Sequence, residues 1–473
     1  MHPRRAFILF EVVYAFGQAV TYTSYAPYLQ QIGLSPAEVT LVNLWYFVAL
    51  LVGEMPTGIF ADRVSRVLAV RIGILITAAS SALYATATGF LTATLYEVLI
   101  GVGMSFISGA LNAWIKDAHH ARREPEAEYS KTIFLSRRCE SFATLIGGVS
   151  GGLVGINHPR LTWGLSGVLL LIPCYIALRH MTEERHYAPP QSHLPATRRL
   201  SLKLIVTDIL LSVRILRQNH ILMWTVAACM SLGLLLPFNH FWTPFFDARI
   251  GALNKTLLWV PIMLAQAFGT HALVWLRLPL FLPCVIRSAS PDEGSRAACH
   301  AWRNEHQLEQ SVCSLNRSRR TSCTEPRPCE VNDQLSNQAA MCGASITKNT
   351  ETNCVIGVIL LIGVGLTLMG GCNSLPVIVT ALMLYQIGRG MFFPLMEVFL
   401  QKRIDSSTRA TYTSFNSLLT RIGYVGVLTV VSQATQGKDW DLKLITGIWM
   451  RCGSLLILTA ILLYLFVPKR ARS

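Results

Sequence analysis

The chain has 473 residues, 52% of them hydrophobic and only 14% charged, with a formal net charge of +15. Soluble domains carry about 25% charge, so this composition excludes an ordinary soluble enzyme and points to repeated membrane spans. Nor is the positive charge a nucleic-acid signature, because Lys and Arg sit in short clusters between apolar stretches, where they set topology.

The chain opens with MHPRR, the basic start of a signal peptide. The apolar stretch AFILFEVVYAFGQAV that follows is too long for one and has no small-residue cleavage site, so it reads as a retained first span. Apolar stretches of about 20 residues place six spans near 6–30, 37–60, 68–90, 94–115, 135–156 and 161–179. Six more follow near 219–246, 255–285, 354–371, 374–400, 411–434 and 443–467. With the N-terminus inside, the inner connections hold Arg4, Arg5, Arg63, Arg66, Arg71, Lys116, Arg122, Arg123 and Lys131, then Lys402, Arg403 and Arg409. The outer ones hold only Arg160, Arg249, Lys255, Lys438 and Lys443, so both termini are expected in the cytoplasm.

Two connections stand out. Within 181–218, Leu202, Ile205, Ile209, Val213 and Leu216 recur at helical spacing opposite Lys203, Thr207 and Arg214. This predicts a basic amphipathic helix on the inner membrane surface, with a short buried helix as the alternative. Residues 286–353 show neither helical nor strand period and predict a disordered cytoplasmic loop, either a genuine insertion or a displaced reading frame. The 12 cysteines form no CxxC pair, so neither a disulfide framework nor a metal site is expected, and no cofactor is indicated. Cys139, Cys174, Cys229, Cys372 and Cys452 fall in spans as small hydrophobes.

The two halves repeat each other. GVGMSF (Gly101, Gly103) in span four matches GRGMFF (Gly388, Gly390) in span ten. Ala127, Tyr129, Leu135 and Arg138 match Ala410, Tyr412, Leu418 and Arg421, and Pro27 and Gly33 match Pro244 and Gly251. The expected fold is therefore an all-α integral membrane protein with 12 transmembrane helices in two pseudo-symmetric six-helix bundles, residues 1–180 and 219–473, flanking the 181–218 linker.

At the end of span two, GEMPTGIFADRVSRV places Gly58, Asp62, Arg63 and Arg66 at fixed offsets. The pattern resembles the Gly-x-x-x-Asp-Arg-x-Gly-Arg-Lys signature of the major facilitator superfamily, with Ser65 and Val67 replacing the second glycine and the last basic residue. The resemblance implies a secondary transporter that works by alternating access, binds a small-molecule substrate between its halves, and acts as a monomer in the lipid bilayer. It also implies that this cluster latches the cytoplasmic side shut. Gly58 would let a helix of the other half approach, Asp62 would accept from that helix's N-terminal amides, and Arg63 and Arg66 would pair across the interface. The rival reading is that these charges only set topology.

Ionisable groups inside spans are functional candidates by default. Glu97 leads, because a carboxylate in a low dielectric suits proton binding and release; it stands where many relatives carry arginine, and a shallow, hydrated position is the alternative. Glu11, Glu54, Glu140 and Glu397 follow, with Arg138. Arg138 and Glu140 are two residues apart and on different helix faces, so partners are expected on other spans, Arg389 and Arg421 among them. Lys116 and Asp117 suit a structural role at the end of span four. In GGVSGG, Gly147 and Gly151 suit helix packing, as do Gly101, Gly103, Gly388 and Gly390. GGVSGG also resembles an antiporter pattern, with Gly148 in place of proline. Tyr14, Tyr22, Tyr25 and Tyr28 are candidates to line a cavity, while Trp45, Tyr46, Trp114 and Trp242 suit interface or packing roles.

The function expected is proton-coupled efflux of small amphipathic organic compounds. Its rivals are an uptake symporter for a polar metabolite and an inactive relative. A membrane enzyme would need a reactive constellation such as HExxH, which the sequence lacks.

Overall fold

A computed structural model describes residues 1–183, 220–275, 333–401 and 409–467. The expected amphipathic helix of the linker lies outside these residues, as does 286–332. The first half holds α1 (Pro3–Tyr22), α2 (Tyr25–Gln31), α3 (Pro36–Arg63), α4 (Arg66–Tyr84), α5 (Phe90–Ala121), α6 (Glu126–Gly155), α7 (Pro159–Leu169) and α8 (Leu171–His180). The second holds α9 (His220–Ser231), a 3-10 turn (Leu232–Leu235), α10 (Leu236–Ile250), α11 (Ala252–Trp275), α12 (Asp333–Gly371), α13 (Leu375–Gln401), α14 (Arg409–Thr435) and α15 (Leu442–Leu465).

Local chemistry sets the helix ends and breaks. Ser35 and Glu38 close a capping box on α3, with Pro36 in its first turn. The Ser65 hydroxyl caps α4 and Asp441 caps α15. Three expected spans are broken shortly before a proline, whose ring clashes with the carbonyl four residues back. Pro27 follows the break at Thr23, Pro173 the break at Leu170 and Pro237 the 3-10 turn Leu232–Leu235. By contrast, Pro56, Pro244, Pro261 and Pro394 lie inside continuous helices.

With each broken pair joined, the described helices follow the order of the expected spans. Eight segments are long and apolar enough to cross a membrane, and α1 with α2, bent by 44°, makes a ninth. The remaining three, α6, α11 and α14, have 30, 24 and 27 residues. At 1.5 Å per residue each exceeds the ~30 Å hydrocarbon core.

One expectation is corrected. Residues 333–353, read as loop, are the first part of α12. QAAMCGASITKNTE contains no proline and runs straight into an apolar helix, so propagation from that helix carries the backbone N-terminally.

Packing repeats in the two halves. In the first, α1 packs on α6, α3 and α4 on α5, and α4 on α7; in the second, α9 packs on α14, α11 and α12 on α13, and α12 on α15. Helix pairs α3 with α14, α6 with α11, α2 with α10 and α3 with α10 meet across the halves, and the repeat exchanges the two most extensive of these, α3 on α14 and α6 on α11. The bundles therefore meet about a pseudo-two-fold axis.

Glycines permit the closest approaches. A Cβ on Gly101 would meet the Tyr46 carbonyl of α3, and one on Gly390 the Gln266 carbonyl of α11. Gly103 packs on Gly73 and Thr77 of α4, and Gly388 on Ile362 of α12. The packing thus pairs Gly101 with Gly390 and Gly103 with Gly388, not Gly101 with Gly388 as the sequence does. Each helix has one glycine for each neighbour, but in the opposite order.

Candidate functional site

The seam between the bundles is bonded from one end to its middle. At that end the Trp440 indole N–H donates to the Leu34 carbonyl at 3.0 Å, and the Ser432 hydroxyl to the Ala37 carbonyl at 3.3 Å. The Trp259 indole of α11 donates to the Thr144 carbonyl of α6 at 3.2 Å. GGVSGG makes this contact possible, because its glycines serve two partners. Gly147 and Gly151 lie against Phe16 and Val20 of α1, whereas Gly148 and Gly152 lie against Trp259 and Thr256 of α11. In the middle of the seam, Arg421 of α14 forms an ion pair with Glu54 of α3.

Toward the opposite end the α3–α4 turn makes its bonds within the first bundle. Gly58 is exposed, with nothing within 4 Å of an added Cβ, and Asp62 and Arg63 are exposed. Arg66, expected to pair across the interface, instead binds Asp117 of α5, with Asp62 at 3.4 Å and the Ala113 carbonyl at 3.2 Å. Glu183 accepts from the Ser65 hydroxyl at 2.5 Å and the Val67 amide at 2.9 Å. Arg71 donates to the carbonyls of Ala177, Leu178 and Met181. The α3–α4 turn is therefore fastened to its own bundle, leaving the Gly58 face open.

A charge cluster lies on the seam. Glu140 accepts from Arg137 at 2.9 Å, the two being neighbours at i, i+3. Glu11 of α1, and Glu397 of α13 in the other bundle, lie within electrostatic range of Arg137. Arg138, the arginine singled out in the sequence, projects elsewhere, with its guanidinium 5.7 Å from the Phe134 ring. The partner of Glu140 is on its own helix, not another span. Spacing held the signal, since three residues share a face where two do not. Of the arginines expected as partners, Arg421 binds Glu54 and Arg389 donates to Asn239 Oδ1 at 3.0 Å.

The tyrosines of the first span separate into roles. Tyr22 is 44% exposed, edge-on to Trp259 at 6.3 Å, with Glu140 and Arg389 of opposite bundles both within electrostatic range. The Tyr14 hydroxyl donates to Met104 Sδ at 3.1 Å. Tyr28 is fully buried and donates to the Tyr84 carbonyl at 2.8 Å, so it packs the first bundle and lines no cavity. Trp114 is likewise buried, its indole donating to the Thr182 carbonyl.

Glu97 stands apart from the central charges. It is 6% exposed, so the shallow, hydrated alternative does not hold. The hydroxyls of Tyr25, Tyr46 and Tyr84 lie within its electrostatic range, and Trp163 stacks on Tyr84 at 3.9 Å. Glu97 Oε2 and the Tyr25 and Tyr84 hydroxyls are buried without a hydrogen bond of standard geometry. No cluster of three metal-ligating side chains occurs among the described residues.

Comparison with known proteins follows this geometry. The family model described as Major Facilitator Superfamily matches residues 7–280. No curated protein matches. Among solved structures, the nucleoside transporter NupG aligns with a TM-score of 0.66 at 14% identity, covering 99% of each chain. A D-xylose-proton symporter aligns with a TM-score of 0.65 at 11% identity, covering 98% of this chain and 97% of its own. A bacterial homolog of the human lysosomal transporter Spinster, inward-facing and unoccupied, aligns with a TM-score of 0.61 at 14% identity, covering 99% and 96%. The family match over more than half the chain, together with the paired bundles and the seam between them, places this protein in the Major Facilitator Superfamily of membrane transporters.

Proposed function

We propose that this transporter carries a polar, hydrogen-bonding organic solute between its bundles, coupled to proton movement. The observation that carries the reading is Tyr22, an exposed tyrosine on the seam with Glu140 of one bundle and Arg389 of the other in range. Opposite charges from opposite bundles around a hydrogen-bonding side chain suit a solute with both donors and acceptors, engaged by the two halves at once. Export of an amphipathic compound rests on the family resemblance and the few charges inside the spans, with GGVSGG as an added hint, and the glycines of GGVSGG have a packing role that implies no direction. A nucleoside transporter and a xylose-proton symporter among the structural neighbours agree with a polar solute.

In this reading the Asp62 end faces the cytoplasm, because Arg63, Arg66, Arg71, Arg122 and Arg123 gather there. The conformation is then inward-facing, and the Asp62 cluster is a latch in its released position. Glu97 carries the coupled proton, as the buried carboxylate with an unsatisfied oxygen.

Proteoliposomes holding the full chain and an internal pH dye test this with a panel of nucleosides, pentoses and amphipathic dyes. Nucleosides or pentoses are expected to drive a proton flux that Glu97→Gln abolishes. Arg389→Gln is expected to raise KM about tenfold, the loss of one charge-assisted bond of about 1.4 kcal/mol. Proton flux with the amphipathic dyes alone, or with no compound, overturns the proposal.

A further inference from the structure

His240 is a lone histidine on the aromatic helix α10, for which packing is the plain explanation. Yet it is 3% exposed and its Nδ1 makes no hydrogen bond. Its ring lies 6.5 Å from that of Tyr25, across the seam in the other bundle. Tyr25 lies beside Tyr84 and Asn43 and within range of Glu97. Glu97, Tyr84 and Tyr25 follow one another within hydrogen-bonding reach, yet Glu97 Oε2, the two hydroxyls and His240 Nδ1 make no bond of standard geometry. Buried polar groups without well-formed bonds destabilise a fold, so packing alone would favour apolar residues here.

We propose that Glu97 and His240, one from each bundle, are the termini of a proton relay through Tyr84 and Tyr25 that is complete only while the Trp440 end of the seam is closed. The inference rests on the reading of Glu97 as the proton carrier. The transfer balances. The Glu97 proton passes to the Tyr84 oxygen as the Tyr84 proton moves to Tyr25, and the Tyr25 proton reaches Nδ1 of the His240 tautomer protonated at Nε2. A carboxylic acid and a neutral imidazole become a carboxylate and an imidazolium, and both phenols end as they began. Opening of the seam draws His240 away from Tyr25 and strands the proton on one bundle, which ties its movement to the conformational change.

The surroundings leave these two groups as the titrating pair. Glu97 is faced by Tyr25 of α2, Tyr46 of α3 and Tyr84 of α4, none of them charged. Around α10, α11 brings Lys255, tied to Asp247 at 3.4 Å, and α14 brings Arg421, tied to Glu54 of α3. Helix α15 brings Arg451, which is exposed. None of these acts electrostatically on His240.

The test uses protons alone, with the full-length protein in nanodiscs and its protonated-carboxyl infrared band followed against pH. Glu97→Gln is expected to remove a band, which identifies it. His240→Gln and Tyr25→Phe are each expected to shift the midpoint of that band by about one pH unit, as coupled sites do. Should His240→Gln fail to fold, Tyr25→Phe carries the same test, since it keeps the ring. If the band titrates in both variants as in the parent, the relay is wrong while Glu97 remains a proton carrier. If Glu97→Gln removes no band, the proton reading of Glu97 falls and the relay with it.

Discussion

Replacing Arg421 with Met will slow solute exchange by at least about tenfold, and adding Glu54→Gln to the same chain will restore most of the loss. The Arg421 side chain is 13% exposed and that of Glu54 30%, and they are the ion pair joining the bundles at mid-seam. Removing one partner of a fully buried pair costs about 3–5 kcal/mol, because the other charge is left unsatisfied. With Glu54 partly hydrated, about 1–3 kcal/mol is the better expectation. The pair spans the two bundles and lies inside neither, so the loss falls on the equilibrium between conformations. A shift of about 1.4 kcal/mol changes that ratio tenfold. Removing both charges leaves neither unpaired, which is why the double variant recovers. Spin-label distances across the seam report the populations. Equal populations in the parent and the Arg421→Met variant would remove the pair from the mechanism.

The second large effect separates packing glycines from Gly58, the glycine proposed to gate. Gly151→Val will leave little folded protein, because its Cβ would lie on the Val20 carbonyl of α1. Overpacking costs about 1–3 kcal/mol where side chains can yield, and more where the obstacle is backbone. Gly58→Val faces open space, so thermal unfolding will be unchanged within about 0.5 kcal/mol. Transport will nevertheless fall, because the other bundle must approach that face when the conformation reverses. A Gly58→Val protein that unfolds early, or that transports normally, would remove the latch from the account.

The contrast shows what the sequence made legible. The order of the spans was readable, and nine described segments have the length and hydropathy of a crossing, because hydrocarbon thickness imposes a length on each one. The three breaks were present as Pro27, Pro173 and Pro237, but Pro56 and Pro394 look the same in sequence and break nothing. Glu54 was a candidate and Arg421 was suggested as a partner for Glu140, yet only the packing of α3 on α14 could bring Arg421 to Glu54. The repeat matches Arg138, whereas helix spacing puts Arg137, three residues from Glu140, on the face that binds it. His240 gave no signal in one dimension. A histidine among Pro237, Phe238, Phe241 and Trp242 is distinguished only by what faces it across the seam. The end of the loop before α12 was misplaced because hydropathy marks where a helix becomes apolar, not where it begins.

The central claim is that two bundles meet along one seam, closed at the Trp440 end and open to the cytoplasm at Gly58. Site-directed labelling tests it most directly, with a membrane-impermeant maleimide and a chain whose own cysteines are replaced. Gly58→Cys should react in inside-out vesicles and stay unlabelled in right-side-out ones, while Ser432→Cys stays protected in both. Labelling of Gly58→Cys from the outer face, or of Ser432→Cys as fast as Gly58→Cys, would contradict the account.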